Sequence, residues 1–199
     1  MNVVLIDSGG ANIGSVRYAL ERLGVDARLS ADAQAIAAAD RVILPGVGAA
    51  APAMARLRAL GLVELIRSLR QPLLGICLGM QLLFDSSEEG DVECLGLLPG
   101  RVQRLRSAAG VRVPHMGWNR LVGGRDDPLL AGIDDSAQAY FVHSYAAPVS
   151  QHALATCTHG EPFAAVVRRG NCHGAQFHPE RSAATGSALL ANFLSSPRA

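Results

Sequence analysis

The chain has 199 residues, 49% of them apolar, and a formal charge of +1. That length suits one substantial core, the apolar content excludes a disordered tail, and the near-neutral charge gives no electrostatic case for nucleic acid. No apolar run is long enough for a membrane span, and four cysteines in a chain this size make no disulfide framework.

The expected setting is therefore cytoplasmic and reducing, with free thiol chemistry available. The first hydrophobic stretch supports this, since Asp7 interrupts it and it lacks both a basic leader and a small-residue cleavage site. Val3-Val4-Leu5-Ile6 reads as a strand buried on both faces, because no polar residue alternates with the apolar ones. Ile13, Val16, Leu20 and Leu23 follow at helical spacing, with Asn12 as the predicted N-cap and Gly24 as the C-terminal stop.

Arg41-Val42-Ile43-Leu44 predicts a second buried strand, ended by Pro45-Gly46. A helical stretch from about Ala50 to Leu69 breaks at Gly61. Pro72 to Ile76 predicts a third strand running straight into Cys77, with a helix from about Met80. Strands and helices alternating through short connections argue for an α/β fold with a doubly wound, mostly parallel central sheet flanked by helices. After Pro99 shorter strands are expected at 140–145, 153–158, 163–168 and 172–177, adding antiparallel strands in the second half. A last helix covers about 183–194, and with no repeat or linker residues 1–199 read as a single domain.

Gly75-Ile76-Cys77-Leu78-Gly79 sets a cysteine between glycines where a strand meets a helix, the pattern of a nucleophile elbow. Glycines are needed there because side chains on either flank of the turn would clash. The backbone N–H of Leu78 would then point to where an oxyanion forms. A leaving amine needs a proton donor, and His178 in Gln176-Phe177-His178-Pro179-Glu180 is the candidate. Pro179 favours extended backbone at His178, so that Glu180, two residues on, can share its face and orient the imidazole. Either motif by itself is commonly structural: a small core cysteine, or a turn. Both ending strands of one sheet is a far stronger joint signal.

Gly75 to Gln81 together with His178-Pro179-Glu180 resembles the triad-type, class I glutamine amidotransferases. Pro45 to Gly48, Val113 to Asn119 and Tyr140 to Tyr145 make the chain most similar to the branch serving as the glutaminase subunit of imidazole glycerol phosphate synthase, in histidine biosynthesis. The resemblance runs from about Val3 to Leu194. It implies that Cys77, His178 and Glu180 hydrolyse glutamine, with no cofactor and no metal. It implies that ammonia passes to a separate (β/α)8-barrel cyclase bound as a heterodimer. It further implies backbone oxyanion donors at Val47 and Leu78, and a glutamine pocket including Gly48, Gln81, Ser144 and Tyr145. Glycines 46 and 48 suit a loop that turns a peptide inward once the partner binds. The chain departs from the family pattern with Ala11 in its first loop, and with Arg112 and Arg181 where lysine is common.

Read without the resemblance, Gln81 is expected on an exposed helix face and Tyr145 on a strand packing against the core. Competing readings are a dinucleotide loop, which Ala11 disfavours, and a metal site from Cys157, His159, Cys172 and His173, whose spacing is wrong. His115, His143 and His152 read as satisfied structural or partner-facing histidines. Alternative roles are a glutaminase feeding a barrel enzyme for surface-sugar amidination, or a catalytically silent scaffold.

Overall fold

The computed structural model describes residues 1–9, 13–123, 126–134 and 136–196. The predicted cap at Asn12 and the departure at Ala11 lie outside the described residues. In chain order the first half holds β1 (Val3–Ile6), α1 (Ile13–Arg22), β2 (Ala27–Ser30), α2 (Ala33–Ala37), β3 (Arg41–Gly46), α3 (Ala50–Ala59), α4 (Val63–Ser68), β4 (Leu73–Cys77) and α5 (Leu78–Gln81). Shorter strands follow: β5 (Phe84–Ser87), β6 (Val92–Glu93), β7 (Leu98–Arg104), β8 (His115–Arg120), β9 (Gln138–His143) and β10 (Tyr145–Ala146). Then come β11 (Ala153–His159), β12 (Glu161–Arg169), β13 (Cys172–Ala175) and the closing helix α6 (Ala183–Ser195).

The main sheet has seven strands in the order β11-β12-β13-β4-β3-β1-β2. Pairings from β13 through β4, β3 and β1 to β2 are parallel, and β11 and β12 extend the sheet antiparallel. Two smaller sheets stand beside it, β10-β7-β5-β6 and the hairpin β8-β9.

Both faces of the main sheet are covered, which explains why its central strands are apolar without alternation. Val3 and Leu5 of β1 join one core cluster with α1, α6 and the rings of Phe141, Phe163, Phe177 and Phe193. Val4 and Ile6 join the other, with Met54 and Leu57 of α3, Ile66 of α4 and Phe84. Gly24 ends α1 at φ +78°, while the Val25 N–H returns to the Leu20 carbonyl. That left-handed residue past the last turn is the stop the sequence predicts.

Several elements differ from the sequence reading. β2 and α2 carry no strong periodic signal; α2 has only five residues and is held by Asp32, whose carboxylate accepts from Gln34 N–H and Ala35 N–H. The helix after Cys77 begins at Leu78 rather than near Met80 and lasts four residues. The change to short strands comes at Phe84, before Pro99, because α5 leads almost directly into the second sheet.

Candidate active site

Cys77 ends β4, in the middle of the main sheet, and α5 starts at the next residue. Its backbone sits at φ +54°, ψ −113°, a strained conformation for a residue with a side chain. The flanking glycines have the predicted steric reason. A Cβ on Gly79 would stand 1.8 Å from the Leu44 carbonyl oxygen, and one on Gly75 would stand 2.6 Å from the Gly79 carbonyl oxygen. Strand β3 therefore packs directly on the elbow.

β13 pairs with β4 in parallel, with Ala175 opposite Ile76, so the chain leaving β13 passes beside Cys77. Three residues beyond that strand, His178 Nδ1 lies 2.9 Å from Glu180 Oε1, with both side chains buried. The extended backbone predicted at His178 is present (φ −95°, ψ 98°). Glu180 arrives differently from the expectation: Pro179–Arg181 is a 3-10 turn, and this turn, not a continuing strand, carries the carboxylate back to the ring. Burial by itself would lower the His178 pKa, but hydrogen bonds to Cys77 and Glu180 outweigh it and raise the value to about 10. Both partners thus favour the charged form of the imidazole.

Gly46 pairs with Cys77 across β3 and β4, which puts Val47 next to the elbow. A Cβ on Gly46 would stand 2.7 Å from Gly79 N, so this glycine serves close approach, whereas Gly48 stands in open space at φ +92°. Conformational freedom in the loop therefore resides at Gly48.

A pocket of about 280 Å³ opens over Cys77, lined among others by Val47, Gly48, Leu78, Gln81, Ser144, Tyr145 and His178. Every position expected at the site borders it except Glu180, which stands behind His178. Gln81 corrects one expectation: it is only 4% exposed. Its side-chain amide donates to the Tyr145 carbonyl at 2.7 Å and to Gln176 Oε1 at 3.0 Å. Gln176 in turn points its amide at Cys77 Sγ, 3.9 Å away.

Glu89, Pro114, Val142 and His143 also line the pocket, and Gln176 is buried beneath it; none of them was expected there. Glu89 lines the wall, and its carboxylate accepts from Ala50 N–H at the start of α3. Burial raises its pKa, against the pull of that N–H. It stands between β5 and β6, in a stretch to which the sequence reading assigned no role. Gln176 was legible only as a neighbour of His178.

Three further cysteines are buried. Burial pushes the thiols of Cys94 and Cys172 up to about 11 and that of Cys157 to about 12, as for inert core residues. Cys172 belongs to one core cluster while His173 packs its ring on Phe193 in the other, so they point to opposite faces. His159 meets the Arg112 carbonyl.

Comparison with known proteins agrees with this geometry. The family model for class-I glutamine amidotransferases matches residues 4–196. The imidazole glycerol phosphate synthase subunit HisH of Xanthomonas axonopodis pv. citri is 67% identical over 193 residues, spanning 97% of this chain and 96% of that protein. The protein of the same name from Xylella fastidiosa (strain Temecula1) is 64% identical, covering 96% of each. A solved glutamine amidotransferase shares the fold at a TM-score of 0.75 and 22% identity, over 97% of both chains. A glutamine amidotransferase of Thermotoga maritima does so at 0.65 and 18% identity, covering 98% of this chain and 82% of that one. The chain belongs to the class-I glutamine amidotransferases and, among them, to the HisH subunits of imidazole glycerol phosphate synthase.

Proposed function

We propose that this chain, as one amidotransferase domain, hydrolyses glutamine to glutamate and ammonia and passes the ammonia to a (β/α)8-barrel cyclase subunit, which makes imidazole glycerol phosphate and aminoimidazole carboxamide ribonucleotide. The observation that carries this reading is Cys77 on a strained elbow beside a His178 whose other ring nitrogen is held by buried Glu180. An imidazolium hydrogen-bonded to a cysteine sulfur makes the thiolate available as nucleophile.

In this mechanism the Cys77 sulfur attacks the side-chain amide carbon of glutamine. The carbonyl oxygen becomes an oxyanion, facing the N–H groups of Leu78 and Val47. His178 gives its proton to the amide nitrogen, the C–N bond breaks, and ammonia leaves a γ-glutamyl thioester. His178 then takes a proton from water as the hydroxide adds to the thioester, and glutamate departs with the thiolate restored. Glu180 keeps Nδ1 protonated throughout, so that Nε2 faces the sulfur. Glu89 provides a negative charge on the pocket wall for the α-ammonium group of glutamine, and the Ser144–Tyr145 segment and Gly48 face its carboxylate end.

The surface around the site suits a docked partner. Met116 and Trp118 are 64% and 51% exposed on the outer face of β8. The Trp118 ring packs edge-on to Tyr140, and the Arg181 guanidinium lies 4.6 Å over Tyr140. This apolar and cationic patch adjoins the turn bearing Glu180, since the His178 N–H donates to the Tyr140 carbonyl.

The test is Cys77→Ala in the complex with the cyclase. Glutamine-dependent turnover should fall by at least about 10³-fold, as for loss of a nucleophile. Ammonia-dependent turnover should persist, because the cyclisation site lies on the other chain. Loss of both activities, or survival of glutamine turnover, would overturn the assignment.

A further inference from the structure

A line of hydrogen bonds runs under the Ser144–Tyr145 wall of the pocket, and its direction follows from its two ends. At one end Asn119 Nδ2 lies 2.9 Å from the Thr158 carbonyl, while its Oδ1 accepts from the Arg120 N–H. A carbonyl cannot donate and a peptide N–H cannot accept, so the amide orientation is settled from both sides. The same Nδ2 reaches His115 Nε2 at 3.2 Å, which must therefore be an acceptor. His115 then carries its proton on Nδ1, 3.0 Å from His143 Nε2. His143 Nε2 accepts, leaving its proton on Nδ1, which donates to the Tyr145 carbonyl at 2.9 Å.

We propose that His115 and His143 form a tautomer-locked neutral pair that positions the Tyr145 peptide for glutamine binding, His143 being a positioning residue that acts through the strand. This rests on the glutamine reading above. The Tyr145 carbonyl receives His143 and Gln81 together, so both of its lone pairs are used. That peptide lines the pocket together with the elbow. Adding a proton to either ring would set two donors face to face, at Asn119 or between the rings. No compensating flip is open to Asn119. His143 is wedged edge-on to Phe163 and His115 is stacked on Phe141, so neither ring has room to turn. The titratable groups around the pair are His159 stacked on His115, His178 and Cys77 at the pocket floor, and Glu89 on its wall. Burial lowers both pKa values, to about 4 for His115 and about 3 for His143, in keeping with a neutral pair.

Two substitutions separate the two ring nitrogens. His143→Asn places its amide near the Nδ1 position, with a donor for the Tyr145 carbonyl, and His143→Gln places its amide near the Nε2 position, with an acceptor for His115. With the cyclase-bound protein, His143→Gln should raise the KM for glutamine about tenfold with kcat little changed, and His143→Asn about threefold or less. Equal KM effects, a larger effect in His143→Asn, or no effect in either would overturn the inference. A wild-type complex that releases no glutamate would instead defeat the glutamine reading itself. Independently of variant folding, imidazole ¹⁵N shifts of the wild-type protein at pH 6 should show both rings neutral with the proton on Nδ1. An Nε2-protonated or cationic ring at either position would overturn the proposal.

Discussion

At the scale of single residues, the elbow is governed by where a Cβ can go. Strain of the kind seen at Cys77 costs about 1–3 kcal/mol and persists only where the surroundings over-determine it. Here the surroundings are β3, whose Leu44 carbonyl occupies the space a side chain at position 79 would need. Gly79→Ala should therefore destabilise the protein by several kcal/mol, about the scale of severe overpacking. Gly14 in α1 is the opposite case, because nothing lies within 4 Å of its Cβ direction. Gly14→Ala should stabilise by about 0.5–1 kcal/mol through helix propensity and a less flexible unfolded chain. Urea midpoints moving in opposite directions for the two variants are the expected outcome.

At the scale of elements, the Pro179–Arg181 turn is pinned to the β8-β9 hairpin rather than to the main sheet alone. The His178 N–H donates to the Tyr140 carbonyl, while Ser182 Oγ accepts from the Tyr140 N–H and donates to the His178 carbonyl. β9 and the Pro179–Arg181 turn thus move as one unit, and β9 leads directly into the Ser144–Tyr145 wall. Ser182→Ala would leave the part-buried Tyr140 N–H without its side-chain partner, at a cost of about 0.5–1.5 kcal/mol. Glutaminase kcat should fall through misplacement of His178 and Glu180. An unchanged kcat, with stability lowered as expected, would show that the pinning is irrelevant to catalysis. The same strands explain why several elements were hard to read. β2 is a four-residue edge strand with its middle residues exposed, and β8 alternates around Gly117. Neither offers a run of apolar residues, because their pairing partners rather than their own composition hold them in place.

At the scale of the molecule, buried histidines link stability to pH. Burial holds His115, His143 and His173 below the usual imidazole value, at about 4, 3 and 4. The unfolded chain binds protons at these positions from about pH 6.5 downward, whereas the folded protein does not. Stability should therefore fall as the pH drops from about 6.5 to 4, by up to about 1.4 kcal/mol per pH unit for each group. His178 behaves oppositely: its raised value adds stability below about pH 6.5 that is lost as the pH rises through about 10. Denaturant midpoints at pH 7 and pH 5 measure the acid limb, and His173→Leu should flatten it. A midpoint independent of pH over that interval would contradict the buried neutral state.

Contiguous residues were enough to settle the fold class and to nominate Cys77, His178 and Glu180 as the triad. The apolar runs of β1, β3 and β4 and the glycines around Cys77 each carry a local steric or periodic requirement, so each was legible in the sequence; His-Pro-Glu was legible as a motif, but not its 3-10 turn. The resemblance supplied the pocket positions, including Gln81, whose own helical context reads as exposed. It took the folded chain to show that Gln81 is buried under Tyr145, that Glu89 reaches the pocket wall from another sheet, and that His115 and His143 join into one line with Asn119. The physical reason is that these side chains are ordered by partners far away in sequence. A hydrogen bond between residues on different strands depends on register and on which face each presents, and no local pattern encodes that pairing.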